Sequence, residues 1–267
     1  MDERYLFAQD LARRAGSLAL DYFRNRARLT VELKGPQDFV SRADRDVEAL
    51  LRREIARAFP ADRFLGEETA EAYAGPIDGC WVVDPIDGTN NFLRGVSYWN
   101  VAIAYVEQGR ARIGVVFDPV SGELYHGTRG GGAWCDDANG RSRLQVATTT
   151  VLAGACVALG HHDRAPSADY LEIRRRMMAA GVAMRNFGSG ALQLAHVAQG
   201  RLDGFIELSL SIWDAIGGVL LVEEAGGYAA PFAPASATAK ATCVACAPGI
   251  AEEVEELLRI EDLGSRI

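Results

Sequence analysis

The residues best placed to do chemistry are Asp84 and Asp87, in the stretch Trp81-Val82-Val83-Asp84-Pro85-Ile86-Asp87-Gly88-Thr89-Asn90-Asn91-Phe92. Three apolar residues predict the end of a buried strand. An acid, a proline-fixed turn, a second acid and Gly-Thr at a helix start follow it. Asp84 and Asp87 are three apart across that turn, so both carboxylates can converge on one point. Gly88 lets the backbone approach a ligand closely. The N–H groups after Thr89 are unpaired donors at a helix start, where the dipole favours an anion. Two carboxylates beside an anion site make electrostatic sense only with cations between them. The stretch therefore implies a metal ion bridging protein carboxylates and a phosphate. An isolated D-x-x-D is more often a solvated turn, so the reading depends on other acids in the chain.

Phe64-Leu65-Gly66-Glu67-Glu68 supplies two of them after a brief apolar run. Adjacent strand side chains point to opposite faces, so at most one would face a shared site. Trp213-Asp214 puts another acid at the start of a long apolar helix, where alone it would be an N-cap. Glu67, Asp84, Asp87 and Asp214 then form a set of carboxylates, each at the end of a buried element. Oxygen ligands with no neighbouring His or Cys point to a hard ion, Mg2+ first and Mn2+ as a substitute. Asp44, in the first turn of a helix, reads from its position alone as a favourable dipole contact.

The elements that must position these acids are legible in order. Tyr5, Ala8, Leu11, Ala12, Ala15, Leu18, Ala19, Tyr22 and Phe23 recur at helical spacing. A short strand from Thr30 to Leu33 and a loop Lys34-Gly35-Pro36 precede a second amphipathic helix carrying Val47, Leu50, Leu51, Ile55 and Phe59. Residues 98–107, 110–118 and 122–128 alternate as an antiparallel meander. From about residue 145 strands and helices alternate: helix 170–180, strand 182–187, helix 191–199, strand 203–207, the helix opened by Trp213-Asp214, strand 243–247 and a last helix after Pro248. Gly75-Pro76-Ile77-Asp78-Gly79 repeats the PIDG of the central motif without a strand before it, and is a plain turn. The glycines at 127 and 130–132 belong to a hairpin, since no helix follows them.

Length and composition set the limits. The 267 residues allow one large domain with a substantial core, and no linker or composition break divides them. A single catalytic domain over 1–267 is expected, with an N-terminal half of about 1–145 and a C-terminal half of about 146–267. The net charge of −8 argues against direct nucleic-acid binding and an anionic membrane, and an acidic protein that handles phosphate needs a cation. No apolar run spans a membrane, and Met1-Asp2-Glu3-Arg4 starts no signal peptide. Five scattered cysteines, an odd number, read as reduced thiols of a cytoplasmic protein. Cys243 and Cys246 form a C-x-x-C with no second pair, and buried strand thiols are the better reading.

Gly66-Glu67-Glu68, Asp84-Pro85-Ile86-Asp87-Gly88-Thr89 with Asn91-Phe92, and Trp213-Asp214 through Glu224-Ala225-Gly226-Gly227 resemble the inositol monophosphatase family of metal-dependent phosphatases. Order and spacing fit from the first helix to near the carboxyl terminus. The resemblance implies an α+β or α/β fold, a layered α-β-α-β-α sandwich, commonly in a homodimer. An antiparallel sheet is expected in the N-terminal half and a mixed sheet in the C-terminal half. It implies metal binding by Glu67, Asp84, Asp87 and Asp214, with the backbone carbonyl of Ile86 as a further ligand. Gly88 and Thr89 resemble the phosphate-holding backbone. Asp44 matches the acid that pairs with Thr89 and positions the attacking water, which displaces its dipole reading. Glu67 joins Asp44 and Thr89 among the catalytic residues. Ser189, Gly190 and Glu207 fall where the family contacts substrate hydroxyls, beside Asp87 and Asp214.

The implied activity is magnesium-dependent hydrolysis of a small phosphate monoester, first of all an inositol monophosphate. Histidinol phosphate, 3′-phosphoadenosine 5′-phosphate and fructose 1,6-bisphosphate are rival substrates. Asn90-Asn91 stands where the nucleotidases often carry charge, and Arg94 and Arg185, though available for a second phosphate, read better as solvated surface residues. A phosphatase fold acting mainly as a binding partner is the rival of another class, against which the intact carboxylate set argues. Two departures stand out: Ile216 is bulky for its place after Trp213-Asp214, and the loop Cys135–Gly140 is slightly long.

Overall fold

The computed structural model describes residues 2–26, 31–35, 38–161 and 167–259. Thr30 and Pro36 lie outside them, while Lys34 and Gly35, expected in a loop, belong to a strand over Val31–Gly35. The described elements stack in five layers. α1 (Glu3–Arg24) and α2 (Arg42–Ala58) cover one face of a seven-stranded sheet. Its order is β3 (Arg63–Gly66), β4 (Cys80–Asp87), β5 (Asn100–Glu107), β6 (Arg110–Asp118), β7 (Glu123–Thr128), β8 (Gly132–Asp137) and β9 (Gly140–Arg143). α5 (Gly190–Ala198) and α6 (Ile212–Glu224) fill the space between this sheet and a second one. The second sheet runs β11 (Ala183–Arg185), β10 (Cys156–Leu159), β12 (Gly204–Leu210), β14 (Ala241–Cys246) and β13 (Tyr228–Ala229). α4 (Ser167–Ala179) and α7 (Ala251–Leu258) close the far face. This is the α-β-α-β-α sandwich that the motifs imply. β1 (Val31–Gly35) and β2 (Asp38–Ser41) form a separate hairpin before α2.

Side-chain patterning explains the layering. Ala8, Leu11, Ala12, Ala15 and Ala19 line one buried stripe of α1, and their small size lets the helix lie close to the sheet. In β4, Trp81 and Val83 point to the α1/α2 side, while Cys80 and Val82 point to the other. β4 is buried along its whole length, which is why it reads as a continuous apolar run. α6 rests on the same sheet through a glycine contact: a Cβ on Gly114 of β6 would lie 2.5 Å from the carbonyl oxygen of Gly217. Ile216 beside that contact is half-buried against the cluster of Leu65, Val82 and Ala104, so its bulk is accommodated.

Three features differ from what patterning alone suggests. The first sheet is antiparallel except at its β3/β4 edge, which pairs in parallel. Of Cys135–Gly140, expected as a slightly long loop, residues 135–137 belong to β8 and Gly140 opens β9, so the turn of this hairpin is short. β9 is exposed along its length and Gly140-Arg141-Ser142-Arg143 has no apolar alternation, so backbone pairing alone defines it. Third, β4 continues past Asp84 to Asp87 instead of ending in a turn. Cys243 and Cys246 are buried thiols on opposite faces of β14, as expected of strand residues.

One polar cluster ties α1 to the first sheet. Arg141 grips Asp136 through Nε at 2.7 Å and Nη2 at 3.0 Å. The buried His126 ring places Nε2 3.3 Å from Asp136, too oblique for a well-formed hydrogen bond, and Nδ1 2.5 Å from the Tyr5 hydroxyl. Burial holds His126 below its usual range. The Arg141 bonds hold the Asp136 carboxyl down at about 2, against desolvation and helped by His126. A depressed carboxylate stabilises the fold above its unfolded pKa, and that stability is lost as pH falls through the folded one. Asp136→Asn should therefore lower the urea midpoint at pH 7 and at pH 4, with the gap to wild type closing as pH falls through about 2. A gap of constant size down to pH 2 would show that packing, not the charge, holds this corner.

Candidate functional site

The local geometry begins with a fault in the β4/β5 ladder. Asp84 pairs with Ala102 and Asp87 with Asn100, so β4 carries one residue more than β5 between these pairs. Strand residues three apart normally point to opposite faces. The extra residue, a bulge occupied by Pro85-Ile86, turns Asp87 back to the side of Asp84. Proline fits here because a bulge leaves a donor out of the ladder. Asp84 Oδ1 accepts the Ile86 N–H at 2.9 Å and so closes the bulge on itself.

Asp214 enters from the first turn of α6. Among the described residues, Asp84, Asp87 and Asp214 form one group whose carboxylate oxygens lie within 4.8 Å of one another. Asp84 is 2% exposed and Asp87 7%. Burial, together with the charges of Glu67, Asp214 and Asp87, drives the Asp84 carboxyl well above its usual range. Asp214 is raised by burial and by Asp87. Asp84 and Asp214 are close enough to share a hydrogen bond, which requires a proton or a cation between them. An oxygen-only donor set with excess buried negative charge fits a divalent cation.

Asp87 is fixed from outside its strand. Its Oδ2 accepts from Ser189 Oγ at 2.6 Å, Asn100 Nδ2 at 2.8 Å and Ala191 N at 2.8 Å, and its Oδ1 from Gly190 N at 3.3 Å. The carboxylate thus caps the amino terminus of α5, a duty that the Ser189 side chain leaves undone. These bonds oppose the burial that raises its pKa. Ser189 Oγ also accepts from Asn100 Nδ2 at 2.9 Å, so the hydroxyl expected at the substrate is committed to Asp87 and Asn100.

Asp44 serves two purposes. Its Oδ2 accepts Ser41 N at 2.8 Å and Ser41 Oγ at 2.6 Å, completing a capping box at the start of α2. Its Oδ1 lies 3.3 Å from Thr89 Oγ1, which also reaches the Ile86 carbonyl at 3.0 Å. The helix-terminal reading and the pairing with Thr89 are both correct, one for each oxygen. Thr89 opens the short helix α3 (Thr89–Arg94). Gly88 precedes it with φ 93°, and a Cβ there would meet Tyr98 O at 3.0 Å and Gly188 O at 3.3 Å. The need for glycine is therefore a left-handed backbone crowded by its own chain, more than a ligand's approach.

A cavity of about 630 Å³ gathers these residues, within the usual range for a small-molecule site. Glu67, Asp84, Ile86, Asp87, Gly88, Thr89, Ser189, Gly190, Glu207 and Asp214 all line it. Asp44 stands behind Thr89. Glu67 lies near enough to act on Asp84 but outside the tight group of three. Glu207, on β12, is pushed up to about 8 by burial, with Asp214 and Asp87 adding and Lys240 opposing.

Sequence reasoning missed Asn100, Lys240 and Glu48. Glu48 is 3% exposed on α2, one turn after Asp44. Its Oε2 accepts Glu68 N at 2.7 Å and its Oε1 accepts Thr69 Oγ1 at 2.6 Å. It thereby anchors the 3-10 turn Glu67–Ala72 that presents Glu67. An acid on the apolar stripe of Val47, Leu51 and Ile55 was the available signal. Glu48→Gln leaves one oxygen for two donors. It should weaken divalent-cation binding by about 10–100-fold, the scale of a lost supporting bond. Calorimetric titration with the cation checks this, and unchanged affinity would limit Glu48 to stabilising α2.

The inositol monophosphatase family model matches residues 1–262. The chain is 42% identical over 214 residues to the inositol-1-monophosphatase of Rhizobium meliloti, covering 79% of each protein. It is 37% identical over 223 residues to the Nus factor SuhB of Escherichia coli K12, covering 83% of this chain and 82% of that one. Among solved structures, the Thermotoga maritima IMPase aligns with a TM-score of 0.83 at 29% identity, over 96% of this chain and 97% of the other. No helix among the described residues is long and apolar enough to cross a membrane.

Proposed function

The chain belongs to the inositol monophosphatase family, and from that premise we propose that it is a magnesium-dependent phosphomonoesterase acting on an inositol monophosphate or a similar polyol phosphate. One observation carries the reading: Asp84, Asp87 and Asp214 converge within 4.8 Å in the cavity that Thr89 and Glu207 also line. Glu67, Asp84, Asp87, Asp214 and the Ile86 carbonyl are the residues that would hold the ion, with manganese as a substitute. When bound, magnesium supplies Lewis acidity that acidifies a water and neutralises phosphate oxygens.

The other steps belong to the chain. Gly88 and Thr89 are assigned to the phosphate oxygens. Ser41 donates twice to Oδ2 of Asp44, while Oδ1 lies 3.3 Å from Thr89 Oγ1, where it competes with the Ile86 carbonyl at 3.0 Å for the Thr89 proton. A Thr89 hydroxyl that donates to Asp44 keeps its lone pairs for a water and orients that water toward the phosphate. Glu207 follows the apolar pair Phe205-Ile206 and offers a polar contact to substrate hydroxyls, beside the backbone of Gly190. Ser189 and Asn100 keep Asp87 in place for this chemistry.

Hydrolysis of myo-inositol 1-phosphate should appear with magnesium and vanish after EDTA treatment and desalting. Asp84→Asn should lower turnover by several orders of magnitude while the fold survives. Full activity without metal would overturn the proposal. A second measurement isolates the water. Asp44→Asn and Thr89→Ala should each cost roughly 10²–10⁴-fold in kcat, an ordinary general-base effect. Their combination should be little worse than the worse single change, because the two act as a unit. Additive losses would leave Asp44 with its capping role alone.

A further inference from the structure

The cavity is lined by carboxylates, Glu67, Glu68, Glu71, Asp84, Asp87, Glu207 and Asp214, with one permanently cationic side chain among the described lining residues, Lys240. It lies immediately before β14, whose Cys243 pairs with Glu207 and whose Ala241 pairs with Leu210. That register puts it beside the chain entering α6, on the cavity side that Glu207 also lines. Its side chain lines the cavity together with Glu207 and Asp214. Among the described residues no carboxylate forms an ion pair with it, and its influence on Glu207 is weaker than that of Asp214 or Asp87. The cation therefore acts across a gap. Thr238 and His161, both exposed, line the same mouth of the cavity, far more open than the floor at Asp84.

From this placement we propose that Lys240 forms a second-anion subsite at the cavity mouth, favouring phosphate esters whose carbon skeleton carries another anionic group, foremost a second phosphate. The proposal rests on the phosphomonoesterase reading for its position, since the scissile phosphate is taken to lie at the carboxylate floor. With the floor carboxylates assigned to the metal and the scissile phosphate, a second phosphate at the mouth would find Lys240 as the permanent cation among the described lining residues. A neutral polyol monophosphate has no such need. Lysine is suited to this task, being a compact charge on a flexible stem that can follow anions placed differently on different skeletons.

The test compares myo-inositol 1-phosphate, myo-inositol 1,4-bisphosphate and p-nitrophenyl phosphate in wild type and Lys240→Met, with magnesium. Lys240→Met should lower kcat/KM for the bisphosphate about tenfold through KM, the scale of one partly desolvated charge pair. The two monophosphates should change less than about twofold, and added salt should shrink the wild-type difference. An equal fall for all three would overturn the proposal and make Lys240 a support for Glu207 or the floor. No fall for any would make it inert wall. A readout without turnover comes from the composition: Lys34 and Lys240 are the chain's two lysines. Acetic anhydride labelling read by mass spectrometry, with Lys34 as reference, should show Lys240 protected by the bisphosphate more than by the monophosphate. If wild type hydrolyses none of the esters, the phosphatase reading fails, and Lys240 is decided by labelling alone. Equal protection by both ligands, or none, overturns the subsite.

Discussion

The constraint on which the rest of this structure depends is the crowding of three carboxylates, two buried and one half-buried. Asp84, Asp87 and Asp214 would each be better solvated apart, and together they repel. Nothing in their own chemistry holds them there, so the backbone must. A bulge in β4 turns two of them to one side, and the first turn of a helix wedged between the sheets brings the third. The excess negative charge is what makes the arrangement suited to a cation.

The surroundings offset the cost of that crowding with bonds made by elements from both halves of the sandwich. Asp87 belongs to the first sheet, yet its oxygens accept from the amino terminus of α5 and from Asn100. Asp44 holds the start of α2 with one oxygen and reaches Thr89 with the other. Glu48 holds the turn that carries Glu67. In each case a carboxylate that supports the site also terminates a helix or turn, so positioning the chemistry and finishing the secondary structure are one task. The same economy places the cavity where the two sheets meet across α5 and α6.

Much of this was legible in the residue pattern, and the exceptions have physical causes. Helical periodicity located α1, α2, α5 and α6 because each buries a single apolar stripe or is apolar throughout. The acids Asp84, Asp87 and Asp214 stood out because each interrupts or follows an apolar run. The bulge did not, since a proline after an acid reads equally as a turn. β9 was invisible because it contributes no side chain to a core. Asp44 looked like a helix-terminal charge because it stands in the first turn of α2, where it closes the capping box with Ser41, and its second oxygen faces Thr89. Glu48, Asn100 and Lys240 act on groups 13 or more positions away in the chain, a relation that periodicity cannot express.

The glycine contact between α6 and β6 has a consequence for how the site keeps its dimensions. Gly114 meets the carbonyl of Gly217 backbone to backbone, and Asp214 stands on the same helix just before that point. No side chain intervenes that a rotamer change could lengthen or shorten. The contact works as a mechanical stop: it sets how deep the helix can settle and, through it, how far Asp214 stands from Asp84 on β4, two strands away. A single methyl group at position 114 would have to lift the helix on the order of an ångström, the size of displacement at which a well-placed reactive group loses most of its effect. The calibration of the centre is thus held by two residues that have no side chain at all.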